Sequence, residues 1–262
     1  MRCAVVGHVE WVDFARVQQV PAPGEIVHAS DVWAEPAGGG PVVARQLARL
    51  AGRCELFTAL GDDAVGRRST RRLAELGIDV HAQRFGETRR AWVHVDAAGE
   101  RAITVLGDKL LPRGPLPLHG YDAVFFVAGD VAALRSAREA AFLGATSREL
   151  ATLRAADVPL DLLVGSTLDP GERYDGSLDV ATVVQTDGAA GGTANGRHFD
   201  AAAVPGKVSD AYGAGDSFAA ALCFALARGD ELQAALGLAA RVGAAVLTGR
   251  GPYGAQLDLS EV

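Results

Sequence analysis

The stretch Asp210-Ala-Tyr-Gly-Ala-Gly-Asp216 decides the interpretation of this chain. It follows a strand-like segment at 199–208 and precedes apolar residues at helical spacing, namely Phe218, Leu222 and Leu226. The pattern predicts a glycine-rich turn that enters a helix, with Asp216 in its first turn. Backbone N–H groups at a helix start favour a bound anion. A carboxylate inside such a site suits phosphoryl transfer, which needs donors for the phosphate and a base for the attacking hydroxyl.

The simpler alternative is that Asp216 only stabilises the helix start, where aspartate is common. A second glycine cluster, Glu-Pro-Ala-Gly-Gly-Gly-Pro at 35–41, bears on this choice. Pro41 suits the first turn of a helix, and the residues at 42–50 have helical apolar spacing. Gly38 and Gly39 allow a polyhydroxyl substrate to approach the backbone directly.

Composition indicates a soluble enzyme. The 262 residues are 49% hydrophobic and 22% charged, enough for a substantial core in one domain. A net charge of −7 without a basic run argues against a nucleic-acid partner. No apolar stretch reaches transmembrane length and the first strand begins at Arg2, so we expect no membrane partner and no signal peptide. The cysteines Cys3, Cys54 and Cys223 lack metal-ligand spacing, which favours reduced core residues and a cytoplasmic location.

Strand and helix patterns alternate along the chain, as expected of a layered α/β fold. Buried strands are predicted at 2–7, 54–59, 123–127, 141–144, 160–164 and 180–185. Helices are predicted at 42–50, 65–76, 147–156, 216–228 and 231–247. The third helix begins at a capping-box pattern, Thr146 to Glu149. Two half-exposed segments break the alternation, at 25–35 and 91–106, and the second is predicted to be a hairpin that turns at 96–99.

Together the two glycine motifs resemble those of the ribokinase-like (PfkB-type) family of carbohydrate and nucleoside kinases. Residues 210–218 fit the family's C-terminal signature, Asp-x-x-Gly-Ala-Gly-Asp-x-Phe, at every position. The N-terminal signature is matched at Gly38, Gly39, Ala44, Leu47, Ala48 and Leu50, whereas its asparagine is replaced by Val43. The resemblance implies a three-layer α/β/α fold with a central, mostly parallel sheet and a small β-lid. It also implies one kinase domain, 1–262, with lid segments near 12–35 and 88–106.

The resemblance implies ATP-dependent transfer to a hydroxymethyl group, with Asp216 as the base that takes the proton of the acceptor. The anion hole would be formed by backbone N–H groups of Gly213, Ala214, Gly215 and Asp216. The acceptor would be bound near Asp13, Gly38, Gly39 and Val43. Glu10 is near enough in sequence to compete with Asp13, whose other interpretation is a solvated loop aspartate.

The implied nucleotide segment follows the strand predicted at 180–185. Its candidate ATP-binding residues are Thr186, Asp187, Gly188 and Gly191, together with Gly213 and Gly215. Family members usually carry Asn-x-x-Glu to order Mg²⁺, and here the best match is Ser166-Thr-Leu-Asp169. Because hard oxygen ligands are kept, we still expect Mg²⁺. Asp210 either helps to bind a monovalent cation such as K⁺ or organises the turn.

The acceptor stays open between a sugar and a nucleoside. Val43 in place of asparagine, and Gly40 where ribokinases often have lysine, remove polar contacts and should shift substrate choice. Trp11 and Phe14 offer a stacking surface for a more apolar acceptor. A third candidate is a non-catalytic sugar- or nucleotide-binding relative, against which the intact Asp216 argues. In the family the lid is often the dimer contact, so a homodimer through the lid is also expected.

Overall fold

The central layer is a nine-stranded sheet. In the computed structural model, which describes residues 1–262, its strands are β1 Cys3–Val6, β4 Cys54–Leu60, β5 Asp79–Arg84, β8 Ala123–Phe126, β9 Phe142–Thr146, β10 Leu160–Ser166, β11 Val180–Thr186, β12 Gly192–Ala194 and β13 Arg197–Phe199. They are arranged in the order β13-β12-β11-β10-β9-β8-β1-β4-β5. The pairs from β11 to β5 are parallel, and β12 and β13 extend one edge in antiparallel pairing. The carboxyl ends of the parallel strands therefore meet at one edge, where ligands bind in open α/β sheets.

Six α-helices flank this sheet: α1 Gly39–Ala51, α2 Ala64–Glu75, α3 Val131–Ala137, α4 Leu150–Ala156, α5 Ala214–Ala227 and α6 Leu232–Val246. Alternate residues of β1 point to opposite faces. Cys3 and Val5 belong to the core that contains residues of α1, α2, α5 and α6, whereas Ala4 and Val6 belong to the core with α3 and α4. This confirms the predicted α/β/α layering. None of the helices is long and apolar enough to cross a membrane.

A second sheet of four strands stands apart from the first. Its strands are β2 Glu10–Arg16, β3 Asp31–Ala37, β6 Arg90–Val95 and β7 Arg101–Leu106, in the order β3-β2-β6-β7. We call it the lid. Its inner face packs Val12, Phe14 and Val93 against Val42 and Tyr212. The tip of the β6–β7 hairpin accepts a hydrogen bond at Gly99 O from the Ala211 N–H, 2.9 Å away, so the lid contacts the glycine-rich turn.

Some predicted elements differ in extent. Of the strand predicted at 199–208 only Phe199 is in a strand, at the end of β13, because its pairing partner β12 begins at Gly192, opposite Phe199. The strand predicted at 25–35 begins only at Asp31, because the preceding residues form a turn closed by the Glu25 N–H and Ala22 O, 3.0 Å apart. Strands β2 and β5 and helix α3 were not predicted, as these short segments lack strong periodicity.

The capping box predicted at 146–149 forms only in part. Thr146 Oγ1 accepts from the Arg148 N–H at 3.3 Å, which caps a 3₁₀ turn at Ser147–Glu149, and α4 follows this turn. The Glu149 carboxylate accepts instead from Lys109 Nζ at 2.9 Å. A tertiary ion pair thus replaces the local contact of the capping box.

Candidate active site

The glycine-rich turn places Asp216 in the first turn of α5. Gly213, the residue before the helix, has φ +86°, a conformation that favours glycine. A β-carbon built on Gly213 would lie 3.0 Å from Val42 Cγ1, so packing also requires glycine there. At Gly215, by contrast, a β-carbon would meet no atom within 4 Å. The side-chain position of Gly215 therefore faces open space, and the first N–H groups of α5 have no partner inside the helix.

The environment of Asp216 raises the pKa of its carboxyl group into a range that suits a general base. Burial raises the pKa of its carboxyl group to about 6. The negative charge of Glu172 contributes to the rise in pKa, whereas the guanidinium groups of Arg101 and Arg148 oppose it. A carboxylate with a pKa near the working pH is both available in its basic form and strong enough to accept a proton.

The N-terminal glycine cluster contacts Asp216 directly. A β-carbon built on Gly39 would lie 3.0 Å from Asp216 Oδ1 and 2.8 Å from Val127 Cγ1. Gly38 precedes α1 with φ +89°, and its N–H donates to the Tyr212 hydroxyl at 3.2 Å. The structure therefore brings together the two motifs that are far apart in the sequence.

Asp13 lies on the outer face of the lid, away from this contact. Its neighbour Phe14 points inward and meets Tyr212 edge to face, with ring centroids 5.2 Å apart. Alternation along β2 therefore turns Asp13 outward, where it pairs with Arg90 Nη2 at 2.8 Å. The prediction that Asp13 binds the acceptor needs correction, because a shift of one residue along a strand reverses the face.

Glu10, two residues before Val12 on the inner face, lies where the acceptor was expected. A β-carbon built on Gly38 would lie 3.4 Å from Glu10 Cγ and 3.0 Å from His8 Nε2. Burial raises the pKa of Glu10. Burial lowers the pKa of His8 to about 3, so this imidazole is neutral. The pair Glu10 and His8 therefore continues the surface that Gly38 and Gly39 begin.

Two further acceptor-site predictions need correction. Val43 has no exposed surface and belongs to the main core, so its side chain does not face an acceptor. The ring of Trp11 is covered by the Arg68 guanidinium, 4.3 Å from its centroid. Phe14 stacks on Trp33 with centroids 4.8 Å apart. These two aromatic rings are therefore engaged within the protein and offer no free stacking surface.

The predicted nucleotide and metal segments are neighbours at the carboxyl ends of β10 and β11. Ser166 and Thr186 are register partners there. Thr167 Oγ1 donates to Asp187 Oδ1 at 2.6 Å, which joins the two segments. Beyond Asp187 the chain forms a 3₁₀ turn, Gly188–Ala190, and Gly191 follows with φ +85°. The arrangement is a compact loop beside the sheet edge.

Arg148 is a residue of this region that the sequence did not single out. Its guanidinium pairs with Asp169, the candidate metal-ordering carboxylate, and with a second carboxylate nearby, Glu172, at 2.8 Å. Asp169 also accepts from the Gly171 N–H at 2.8 Å. Arg148 lies in the capping-box pattern, where only its neighbours Thr146 and Glu149 attract attention.

Asp210 is fully buried beneath the glycine-rich turn. Its Oδ1 accepts from the Tyr212 N–H at 2.9 Å, and its Oδ2 accepts from the Gly251 N–H at 3.0 Å. Burial raises the pKa of this carboxyl group. Oδ1 thus closes the turn itself and Oδ2 ties it to the segment after α6, which supports the interpretation of Asp210 as an organiser of the turn.

Comparisons with known proteins bear on the fold and the family of this chain. A family model described as "pfkB family carbohydrate kinase" matches residues 1–113 and 160–258. Among solved structures, ribokinase from Thermotoga maritima is 20% identical with a TM-score of 0.78, and the match covers 100% of this chain and 97% of that one. Nucleoside kinase from Methanocaldococcus jannaschii is 18% identical with a TM-score of 0.75, over 100% and 96% of the two chains. Ribokinase from Arabidopsis thaliana, solved with ribose and ATP, is 19% identical with a TM-score of 0.72, over 99% and 96%.

A search of the curated proteins finds no match. The likeness to the solved structures lies in the fold, while the family match extends over both glycine motifs, the predicted metal segment and the predicted nucleotide segment. The chain therefore belongs to the pfkB family of carbohydrate kinases.

Proposed function

We propose that the protein transfers the γ-phosphoryl group of ATP to a hydroxymethyl group of a sugar. The observation that carries the proposal is the contact between the two glycine motifs, which puts the Asp216 carboxylate against the backbone of Gly39. A binding protein gains nothing from a base inside an anion site. A kinase needs the two together.

In this mechanism Asp216 accepts the proton of the attacking hydroxyl. The N–H groups of Gly213, Ala214, Gly215 and Asp216 stabilise the negative charge that develops on the phosphoryl oxygens. The lid covers the acceptor and limits the access of water, which would compete with the sugar for the phosphoryl group. We propose that the chain, 1–262, works as one kinase unit in this way.

ATP is proposed to bind along Thr186, Asp187, Gly188 and Gly191, with its phosphates directed to the start of α5. The Arabidopsis ribokinase complex with ribose and ATP supports the use of this nucleotide. The residues present suit Mg²⁺ held mainly by the phosphates, because Asp169 and Glu172 offer hard oxygens that can order its waters. When bound, the ion would neutralise phosphate charge. Asp210 could also border a monovalent cation such as K⁺, although both of its oxygens already accept backbone hydrogen bonds.

A nucleoside is the second candidate acceptor. The fold shared with the Methanocaldococcus nucleoside kinase permits it. We favour a sugar because the rings of Trp11 and Phe14 are occupied by Arg68 and Trp33 and leave no free face for a base. The third candidate, a non-catalytic relative, is disfavoured by the raised pKa of Asp216.

The test is ADP formation from Mg·ATP across a panel of pentoses, hexoses, sugar acids and nucleosides, followed by identification of the phosphorylated product. Phosphorylation of a sugar supports the proposal. Preferred phosphorylation of a nucleoside selects the second candidate. If none of the acceptors stimulates ADP formation while ATP or a sugar binds, the non-catalytic alternative is correct.

We further propose a homodimer through the outer face of the lid. Val32 is 68% and Trp92 55% exposed there, beside a groove of about 480 Å³. The Asp13–Arg90 pair places both signs of charge at the same surface, which a twofold-related copy can complement. Trp92→Glu should convert a dimer to a monomer in light scattering, and a monomeric wild type would end this proposal. A cytoplasmic location stays a prediction, supported by three free, buried cysteines.

A further inference from the structure

Arg89 is a mostly buried arginine whose side-chain Nε–H has no hydrogen-bond partner. It immediately precedes β6 and shares the inner-face parity of Ala91 and Val93. Its side chain is 16% exposed, and its Nε lies 3.3 Å from Glu10 Oε2. Nevertheless the buried Nε–H is not directed at any acceptor in the protein. Buried donors are rarely left unpaired, so the missing acceptor points to a ligand.

A second unpaired group lies at the same place. His8 Nδ1 is buried and has no hydrogen-bond partner. The other ring nitrogen of His8 and the Cγ of Glu10 both lie against Gly38. From Asp216 the surface therefore runs through Gly39 and Gly38 to His8, Glu10 and Arg89. This is the end of the acceptor space that lies away from the base.

Two further cations act on this end, Lys109 and Arg148, and each already has a carboxylate partner: Lys109 pairs with Glu149 at 2.9 Å and Arg148 with Glu172 at 2.8 Å. The side chains that enclose this end are otherwise apolar. Val12 and Ala37 have no exposed surface and belong to the lid core, and Val43 is enclosed in the main core. Polar recognition of the acceptor is thus concentrated on few groups. In such a site each hydrogen bond weighs heavily, because an analogue without the matching hydroxyl leaves a buried group unpaired.

We infer that Arg89 determines the acceptor specificity of this kinase: together with Glu10 it binds two adjacent hydroxyl groups of a neutral sugar. Glu10 accepts a hydrogen bond from one hydroxyl, and the Arg89 guanidinium donates to the oxygen of the next. The inference rests on the proposed function, since it names the acceptor class of the same site.

Charge favours a neutral sugar over a sugar acid. Glu10 already compensates the charge of Arg89 at 3.3 Å, and its side chain is 9% exposed. A substrate carboxylate bound to Arg89 would lie beside that buried carboxylate and be repelled at low effective dielectric. A diol adds no charge. One of its hydroxyl groups can donate to Glu10, and the oxygen of the other can accept from Arg89.

The test compares Arg89→Met with the matched control Arg90→Met. Arg90 is the next residue but lies on the outer face, paired with Asp13. For the best neutral sugar we expect the acceptor KM of Arg89→Met to rise roughly 10- to 100-fold, while the KM for ATP and the kcat change little. Arg90→Met should keep the acceptor KM and the kcat of the wild type. Arg89→Lys should recover part of the affinity, because it restores charge without the fork of donors.

Deoxy analogues sharpen the test. With the wild type, the KM of one deoxy sugar should exceed that of the parent sugar by a similar factor. With Arg89→Met the two KM values should be equal, because the guanidinium that binds the missing hydroxyl group has been removed. Should Arg89→Met unfold, the double variant Glu10→Gln, Arg89→Met removes the orphaned buried carboxylate and takes its place.

The inference is overturned if Arg89→Met and Arg90→Met have equal acceptor KM values, or if the deoxy penalty persists in Arg89→Met. It is also overturned if a sugar acid is the best substrate and depends on Arg89. These failures differ from failure of the proposed function, in which the wild type phosphorylates none of the sugars in the panel.

Discussion

A β-carbon built on Gly39 would lie 3.0 Å from Oδ1 of Asp216, so these residues from opposite ends of the chain leave no room for a methyl group between them. Gly39→Ala should therefore displace the carboxylate and lower kcat at least tenfold, since small misplacements of a catalytic group are costly. The control is Gly237→Ala in α6, where the nearest atom is Arg241 Nη1 at 3.7 Å. Equal kcat values for the two variants would show that the contact is not needed for catalysis.

Asp216→Asn keeps the shape of the side chain but removes the base. General-base catalysis contributes about 10²–10⁴-fold, and we expect a loss of that order in kcat with ATP binding retained. Because burial raises the pKa of Asp216 to about 6, the ionised carboxylate costs stability above that pH. The Tm of Asp216→Asn should therefore exceed that of the wild type at pH 8 more than at pH 5. Near-normal turnover would leave Asp216 only the role of stabilising the helix start.

The pH dependence follows from the same group. A general base is active only when it is deprotonated, and the pKa of Asp216 is raised to about 6. The value of kcat/KM should therefore be level above pH 6 and fall about tenfold per pH unit below it. The charge of Glu172 contributes to that raised pKa, so Glu172→Gln should move the acid limb to lower pH. Glu231→Gln, at an exposed residue without side-chain hydrogen bonds, is the control. If the acid limb stays in place in Glu172→Gln, the charge of Glu172 does not contribute to the pKa of the titrating base.

How much of this site the sequence predicts depends on what each residue contributes. Gly38 and Gly213 could be identified because their backbones adopt φ near +90°. Such a conformation favours glycine, so the residue type itself marks these positions in the sequence. Asp216 could be placed because the helix that begins there has a local apolar period. The layered fold could be predicted for the same reason, from strands and helices with strong patterns of their own.

Asp13 and Arg89 show what the sequence leaves undetermined. Their roles depend on which face of a strand each side chain takes, and that is set by pairing between β2 and β6, which are far apart in the chain. Arg148 was missed for a related reason, since the carboxylates it pairs with follow a different strand. Tertiary pairing therefore decides the polar part of the site, which local pattern does not reveal.

The magnesium requirement tests the role of Asp169. Asp169→Asn should raise the Mg²⁺ concentration for half-maximal rate and leave the acceptor KM unchanged, because a carboxylate that orders metal-bound water does not touch the sugar. Asp175→Asn is the control, as Asp175 pairs only with exposed groups such as Arg154 at 2.6 Å. If Glu172→Gln alone changes the Mg²⁺ dependence, Glu172 takes this role. If neither variant does, magnesium is not ordered at this loop.

Gly215 tests the anion hole separately from the base. A β-carbon at Gly215 meets no atom within 4 Å, so Gly215→Val should fold with only the modest loss expected of a branched residue in a first helical turn. The added side chain would occupy the open space where we place the phosphates. We therefore expect ATP affinity, measured by calorimetry, to fall at least tenfold, with sugar binding retained. Asp216→Asn should show the opposite division, with ATP bound and turnover lost. If Gly215→Val binds ATP normally, the phosphates lie elsewhere, and the start of α5 is not the anion hole of this kinase.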